Sequence, residues 1–291
     1  LFYQYHPFSN RWGPMHWGHA VSRDLVHWEH LPIALYPDER GAIFSGSVVY
    51  DRHNTSRLGT RARPPLVAIF THHDHEIEQR GSIAIESQSI AYSLDRGRTW
   101  TKFRGNPVIA NPGVRHFRDP KVFWFAGTRR WIMTLASQDH VRFYSSTNLR
   151  QWQYESEFGV GWGAHEGVWE CPDLFEMPVE GEASRRFVLL VSINPGAPNG
   201  GSGTQYFVGS FDGHRFTPDE GLASRPRAAV QWLDGGADNY AGVTWSNIPQ
   251  SDGRRLFLGW MSNWNYALDV PTERWRSAMT LPRELQLARG A

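Results

Sequence analysis

The chain has 291 residues, with 30 Lys+Arg against 29 Asp+Glu and a net charge of +1. That balance offers no electrostatic attraction to nucleic acid or an anionic membrane face, and the longest apolar runs are only strand length, which excludes a membrane-spanning helix from the sequence. One cysteine, Cys171, excludes an internal disulfide framework and any multi-cysteine metal site.

The first ten residues, LFYQYHPFSN, lack the basic start and long apolar stretch of a signal peptide. From there the chain carries 14 Trp, 10 Tyr and 16 Phe spread among 28 Gly and 18 Pro, the mixture of a β domain with many turns. Most of the Trp residues fill a β core; some are candidates for platforms on which sugar rings pack. In chain order, strands are predicted over Ile43–Tyr50, Leu66–Thr71, Ser82–Tyr92, Lys121–Phe125, Trp131–Ser137, Val141–Ser145, Phe187–Ile193, Gln205–Phe211 and Leu256–Met261. Turn chemistry separates them, as at Ala126-Gly127-Thr128, Asp212-Gly213 and Asp252-Gly253. No sustained 3.6-residue apolar period appears, so long helices, and with them an α/β fold, are not expected.

A weak repeat runs through these elements. Ser22-Arg23-Asp24-Leu25 leads to Trp28, Ser93-Leu94-Asp95 to Trp100, Ser146-Thr147-Asn148-Leu149 to Trp152, and Ser210-Phe211-Asp212 to Phe216. Each reads as a turn closed by a Ser or Asp/Asn side chain, with an aromatic opening the next strand. Recurrence at blade-like intervals points to a β-propeller. The softest stretch, 194–203 (NPGAPNGGSG), reads as a loop, and residues 1–291 are taken as one domain.

Two acids stand in unusual settings. Asp119 lies in Phe117-Arg118-Asp119-Pro120, where the proline biases it to an extended backbone and Arg118 supplies a fixed charge; a structural ion pair fits as well. Glu170 lies in Val168-Trp169-Glu170-Cys171-Pro172-Asp173, with almost no positive charge nearby in sequence. Burial there would favour the protonated form that a general acid needs, and it would equally suit a hydrogen-bonded core glutamate. The cluster His72-His73-Asp74-His75 is read as a solvated loop rather than a metal site. No Gly-rich phosphate loop, Cys pair, HExxH or Gly-x-Ser-x-Gly motif is present, so neither a cofactor nor a metal is expected.

Taken together, the ordered motifs Leu1-Phe2-Tyr3-Gln4-Tyr5-His6-Pro7, Trp12-Gly13, Met15-His16-Trp17-Gly18-His19, Phe44-Ser45-Gly46-Ser47, Phe117-Arg118-Asp119-Pro120, Trp169-Glu170-Cys171-Pro172-Asp173, Asp238-Asn239-Tyr240-Ala241 and Gly259-Trp260-Met261-Ser262-Asn263-Trp264 resemble glycoside hydrolase family 32, the β-fructosidases. The stretch 240–285 is most similar to bacterial levanases and exo-inulinases. The resemblance implies a five-bladed β-propeller, hydrolysis of terminal β-fructosyl linkages in fructan or sucrose by a retaining mechanism, and a secreted or periplasmic protein, with a cytoplasmic one as the alternative. It implies that Glu170 is the acid/base, that Asp119 stabilises the transition state, and that Gln4, Trp12, Phe44, Ser45, Arg118 and Trp264 line the fructose pocket. It places the nucleophile in a Trp-Met-Asn-Asp-Pro-Asn-Gly motif ahead of Leu1 and a β-sandwich beyond the last residues. The chain is therefore expected to be a fragment with an incomplete first blade and to be inactive by itself. The partner expected is a fructan or sucrose substrate, not nucleic acid or membrane, and no oligomeric state is specified. Two other readings stay open. A sialidase-type propeller would use the box Ser93-Leu94-Asp95-Arg96-Gly97-Arg98-Thr99-Trp100, and a non-catalytic carbohydrate-binding propeller would need no nucleophile.

Overall fold

The structure, a computed structural model, describes residues 1–219 and 230–289. Its strands form five antiparallel sheets taken up one after another along the chain. The first holds β1 (Phe2–Tyr5), β2 (His16–Ser22) and β3 (Trp28–Leu35); the second, β4 (Ala42–Tyr50), β5 (Leu66–His73), β6 (Glu86–Ser93) and β7 (Thr101–Lys102). The third is β8 (Phe117–Phe125), β9 (Arg130–Ser137), β10 (His140–Ser146) and β11 (Gln153–Phe158). The fourth is β12 (Val168–Pro178), β13 (Arg185–Asn194), β14 (Gly203–Phe211) and β15 (Phe216–Pro218), with the short β16 (Gln231–Trp232) also on β14. The fifth is β17 (Tyr240–Thr244), β18 (Arg255–Trp260) and β19 (Arg283–Leu285). This is a five-bladed β-propeller, all-β as the composition predicts, and its one described helix is α1 (His75–Gln79).

The strands that read most plainly in sequence are those covered on both faces. β5, β9 and β13 are near-continuous apolar runs, because each blade packs against a neighbour on either side. Four apolar cores fill the seams. Trp17 and Leu35 meet Ile43, Ala68 and Phe70 between the first and second blades. Val67, Ile69 and Ile90 meet Phe117, Met133 and Leu135 between the second and third. Ile132 and Phe143 meet Trp169, Leu189 and Phe207 between the third and fourth, and Phe175 and Leu190 meet Phe257 between the fourth and fifth. The first and fifth blades are tied by polar contact: Asn10 Nδ2 donates to the carbonyls of Thr272 and Glu273, each at 3.0 Å. Among the described residues no helix is long and apolar enough to cross a membrane.

The repeated turns have the chemistry that their sequences suggest. Ser22 Oγ accepts from Leu25 N–H at 2.7 Å while Asp24 Oδ1 accepts from Val26 and His27 N–H. Ser146 and Asn148 close the same pattern on Leu149, Arg150 and Gln151, and Asp95 and Asp212 hold the other two. In the second, third and fourth blades this turn joins the third strand to the fourth; in the first sheet it joins β2 to β3. By that register, β1–β3 occupy the second to fourth positions of a blade. The Ser93–Trp100 box is thus one copy of a repeated turn and needs no separate function.

Strand β6 starts at Glu86, four residues later than predicted, and the predicted loop at His72 and His73 is strand. His72 and His73 do not lie in a solvated loop: both are buried, at the end of β5. The strand runs two residues further than predicted because each His pairs across to β6, His72 with Ser87 and His73 with Glu86, and only then does Asp74 cap α1.

Candidate active site

The site grows from a defect repeated in the innermost strand of four blades. The ladder register shifts between Ile43 and Gly46 in β4, between Arg118 and Lys121 in β8, between Glu170 and Asp173 in β12, and between Tyr240 and Val243 in β17. A bulge breaks the strict alternation of side chains and re-aims those beside it. In three blades it carries a non-glycine residue with positive φ: Asp119 at 65°, Cys171 at 48° and Ala241 at 53°. Such backbone is held in place by its surroundings and gathers where a strand serves function. Pro120 and Pro172 sit inside two of these bulges, where a missing N–H leaves no ladder bond unmade.

The bulges turn a set of charges toward one cavity of about 1990 Å³. Arg118 is its hub. Nε and Nη2 donate to Glu170 Oε1 at 3.2 and 2.8 Å, and Nη1 donates to Glu86 Oε1 at 3.0 Å. Burial works against the guanidinium charge, but Glu170, Glu86 and Asp119 outweigh it and hold Arg118 above its ordinary value. Glu86, almost fully buried, also accepts Phe117 N–H at 2.6 Å; His73 and Arg118 overcome its burial and keep its carboxyl below the usual range. Tyr240 donates its hydroxyl to Glu170 Oε2. Glu170 has almost no positive charge nearby in sequence, and the neighbouring blade supplies Arg118 in space.

Asp119 lies deeper, 6% exposed, and its Oδ2 accepts Cys171 N–H at 3.0 Å, which ties the inner strands of the neighbouring third and fourth blades. Burial pushes its carboxyl up to about 6, Arg118 pulling the other way and Glu170 adding to the rise. Burial also raises the Cys171 thiol and the Tyr240 phenol well above their ordinary values, which keeps both neutral at physiological pH. At the cavity lining formed by Lys121 and Thr244, Asp173 accepts Thr244 N–H and Oγ1–H, and its Oδ2 lies 3.2 Å from Lys121 Nζ, linking three inner strands.

The walls are aromatic and more open. Trp12 is 48% exposed and meets Phe44 edge-on at 6.1 Å; Trp264 is 38% exposed and leans on Trp260 at 5.0 Å. Phe44 stacks on His73 at 4.3 Å, its carbonyl accepts Trp17 Nε1–H, and Gln4 Nε2 donates to Ile43 O at 3.0 Å, which fixes β1 against β4. Gln4, Trp12, Phe44, Ser45, Arg118, Asp119, Glu170 and Trp264 all line the one cavity. Sequence reasoning missed Glu86, Tyr240, Lys121 and Asp173. Tyr240 and Asp173 lie in motifs already singled out, whereas Glu86 and Lys121 carry no local signal, since their partners come from other blades.

With this arrangement, a floor of paired carboxylates around one arginine faces an aromatic mouth. The family model described as "Glycosyl hydrolases family 32 N-terminal domain" matches residues 1–291. The chain is 59% identical over 288 residues to "Levanase" of Bacillus subtilis (strain 168), covering 99% of this chain and 41% of that protein. It is 43% identical over 309 residues to "Extracellular exo-inulinase inuE" of Aspergillus niger, covering 99% of this chain and 57% of that one. In three dimensions it is similar to the fructofuranosidase of Schwanniomyces occidentalis complexed with fructose, with TM-score 0.89 and 39% identity, over 100% of this chain and 54% of that one. The chain thus spans about two fifths to under three fifths of the length of these relatives.

Proposed function

The chain belongs to glycoside hydrolase family 32, and on that premise we propose that it is the catalytic propeller of a β-fructosidase, releasing terminal fructose from levan, inulin or sucrose outside the cytoplasm. The observation that supports this best is the floor: Glu170 and Asp119 on facing bulges, with Arg118 bridging the wall between them. Glu170, at the cavity edge of its bulge, is the acid/base. It protonates the leaving oxygen and later draws a proton from the attacking water. Asp119 keeps its carboxylate toward the fructosyl ring, where its charge is worth most as the oxocarbenium ion develops. Arg118 holds the Glu170 carboxylate in place through Oε1, and Tyr240 holds the other oxygen. Trp12, Phe44 and Trp264 offer apolar faces to the sugar rings.

A retaining hydrolase also needs a nucleophilic carboxylate about 5–5.5 Å from the acid/base. The turn register places β1 second in its blade, and we assign the nucleophile to the strand that takes first position beside it, the one the Trp-Met-Asn-Asp-Pro-Asn-Gly motif would form. The test is fructose release from levan, inulin and sucrose by the chain and by a version extended at its N-terminus with that motif, each with and without Glu170→Gln. The expected result is turnover by the extended protein that Glu170→Gln abolishes while substrate binding persists. An extended protein that binds fructan but releases no fructose would show a carbohydrate-binding propeller instead.

A further inference from the structure

Beside the catalytic floor, the rim of the cavity gathers three metal-ligating side chains that the proposed reaction does not use. His73 ends β5, Asp74 caps α1 by accepting Glu76 and Ile77 N–H, and His75 and Glu78 lie three residues apart on one face of that helix. The pattern His73-x-His75-x-x-Glu78 therefore turns two imidazoles and a carboxylate toward a common point. Glu78 Oε2 is 3.0 Å from His73 Nε2 and 3.2 Å from His75 Nδ1, and one donor atom from each of the three lies within 4.8 Å of the others. Bonds of about 2.0–2.2 Å from zinc to nitrogen and carboxylate oxygen set donors of a tetrahedral site a little over 3 Å apart, close to the spacing of Glu78 from each of the two imidazoles.

A second observation is independent of the cluster's own contacts. The far nitrogen of His73, Nδ1, faces the buried Glu86 Oε1 at 3.3 Å. A ligating histidine characteristically donates its other ring N–H to such a carboxylate, which fixes the tautomer and leaves the lone pair on the metal side. With Nδ1–H given to Glu86, His73 turns Nε2 toward the Glu78 carboxylate, where a cation can take the place of the ring proton. Phe44 stacked on His73 at 4.3 Å and the Trp12 edge on His75 at 5.2 Å hold both rings in orientation. The same residues line the cavity, so its open side leaves a fourth coordination position facing the mouth.

We propose that His73, His75 and Glu78 form a binding site for one divalent transition-metal ion, zinc being the best match, at the rim of the substrate cavity. Two imidazoles with one carboxylate and an open position is a donor set that zinc accepts. Of the three, His75 and Glu78 are partly exposed on a short helix, and substituting them leaves every blade seam intact.

The test uses untagged, metal-stripped protein titrated with ZnCl₂ by calorimetry and with CoCl₂ by visible absorption, so the readout does not depend on catalysis. One zinc per chain is expected, with the intense visible bands of four- or five-coordinate cobalt. His75→Ala and Glu78→Gln should each weaken zinc at least tenfold with unchanged circular dichroism. Glu86→Gln should weaken it by about 10–100-fold through His73. Absence of saturable binding up to millimolar zinc overturns the site. So does zinc bound equally well by wild type, His75→Ala and Glu78→Gln, or cobalt showing only the weak bands of a six-coordinate aquo ion.

Discussion

The floor and the rim of the cavity are built by opposite means. The floor is made of strand: Arg118, Asp119, Glu170 and Tyr240 sit on bulges of β8, β12 and β17, and each polar group is pinned by another from a different blade. The rim is made of loops and a five-residue helix, and its large side chains, Trp12 and Trp264, are held by edge contacts and stay open to solvent. Preorganised charge in a dry site acts on a transition state, whereas an exposed ring adds contact area that substrate and transition state share alike. Floor substitutions should therefore lower kcat, and rim substitutions should raise KM. Substitutions in the catalytically competent protein test that division.

The largest effect is expected at Glu170. Glu170→Gln keeps the shape, its Oε1 still accepting from Arg118 and its Nε2 donating to the Tyr240 hydroxyl oxygen, but it cannot donate a proton to the leaving oxygen. A fall in kcat of about 10²–10⁴-fold with KM nearly unchanged is expected in steady-state assays on sucrose. Activity within a factor of two of wild type would remove Glu170 from the mechanism.

Asp119 gives a prediction with two signs. Burial raises its carboxyl to about 6, so activity that needs the carboxylate falls as pH drops through about 6. For stability the sense is reversed. The folded chain binds this proton more tightly than the unfolded chain, so between an ordinary carboxyl value and about 6 the contribution of Asp119 is lost as pH rises. Asp119→Asn should therefore lower kcat more than it raises KM, yet melt higher than wild type at pH 7 and not at pH 4. A lower melting temperature at pH 7 would make Asp119 a structural ion-pair member rather than strain tolerated for function.

Asp173 sharpens the division. It lies 1% exposed against Lys121 and Thr244, so Asp173→Ala leaves an uncompensated buried ammonium and should cost about 3–5 kcal/mol in denaturant unfolding. A loss under 1 kcal/mol would mean that the three inner strands do not depend on this link.

These contrasts also explain what could be read from the sequence. The middle strands β5, β9 and β13 announce themselves, because a strand covered on both faces is a plain apolar run. The four recurring turns do so too, because Ser and Asp side chains close them locally. Two of the inner strands do not: Phe117-Arg118-Asp119-Pro120 and Glu170-Cys171-Pro172-Asp173 put proline and charge where a strand pattern wants neither, so the pattern starts β8 only at Lys121 and marks no strand at β12, whereas β4 reads plainly over Ile43–Tyr50. Those breaks in pattern are the bulges, and the residues proposed for the chemistry lie on them. Glu86 shows the limit of local reading. It opens an ordinary polar strand, and only blade closure brings Arg118 and His73 to it.

The smallest expected effect belongs to the rim. Trp12 and Trp264 stand on loops from the first and fifth blades, the pair tied by Asn10 rather than by an apolar core. Neither indole is deeply packed, so Trp12→Ala and Trp264→Ala should leave the melting temperature within a degree or two of wild type. What each removes is a flat apolar face, worth about 1–3 kcal/mol once a sugar ring covers it. Because that face meets the ring before and after the leaving bond stretches, the loss is uniform, and KM should rise by about 5–150-fold with kcat held. Inulin and levan, which present further rings to the mouth, should be affected at least as strongly as sucrose. The measurement is a pair of steady-state curves for each variant on sucrose and on inulin. A fall in kcat at constant KM would show that the indoles position the reacting ring, and the division between a chemical floor and a binding rim would then fail at its exposed end.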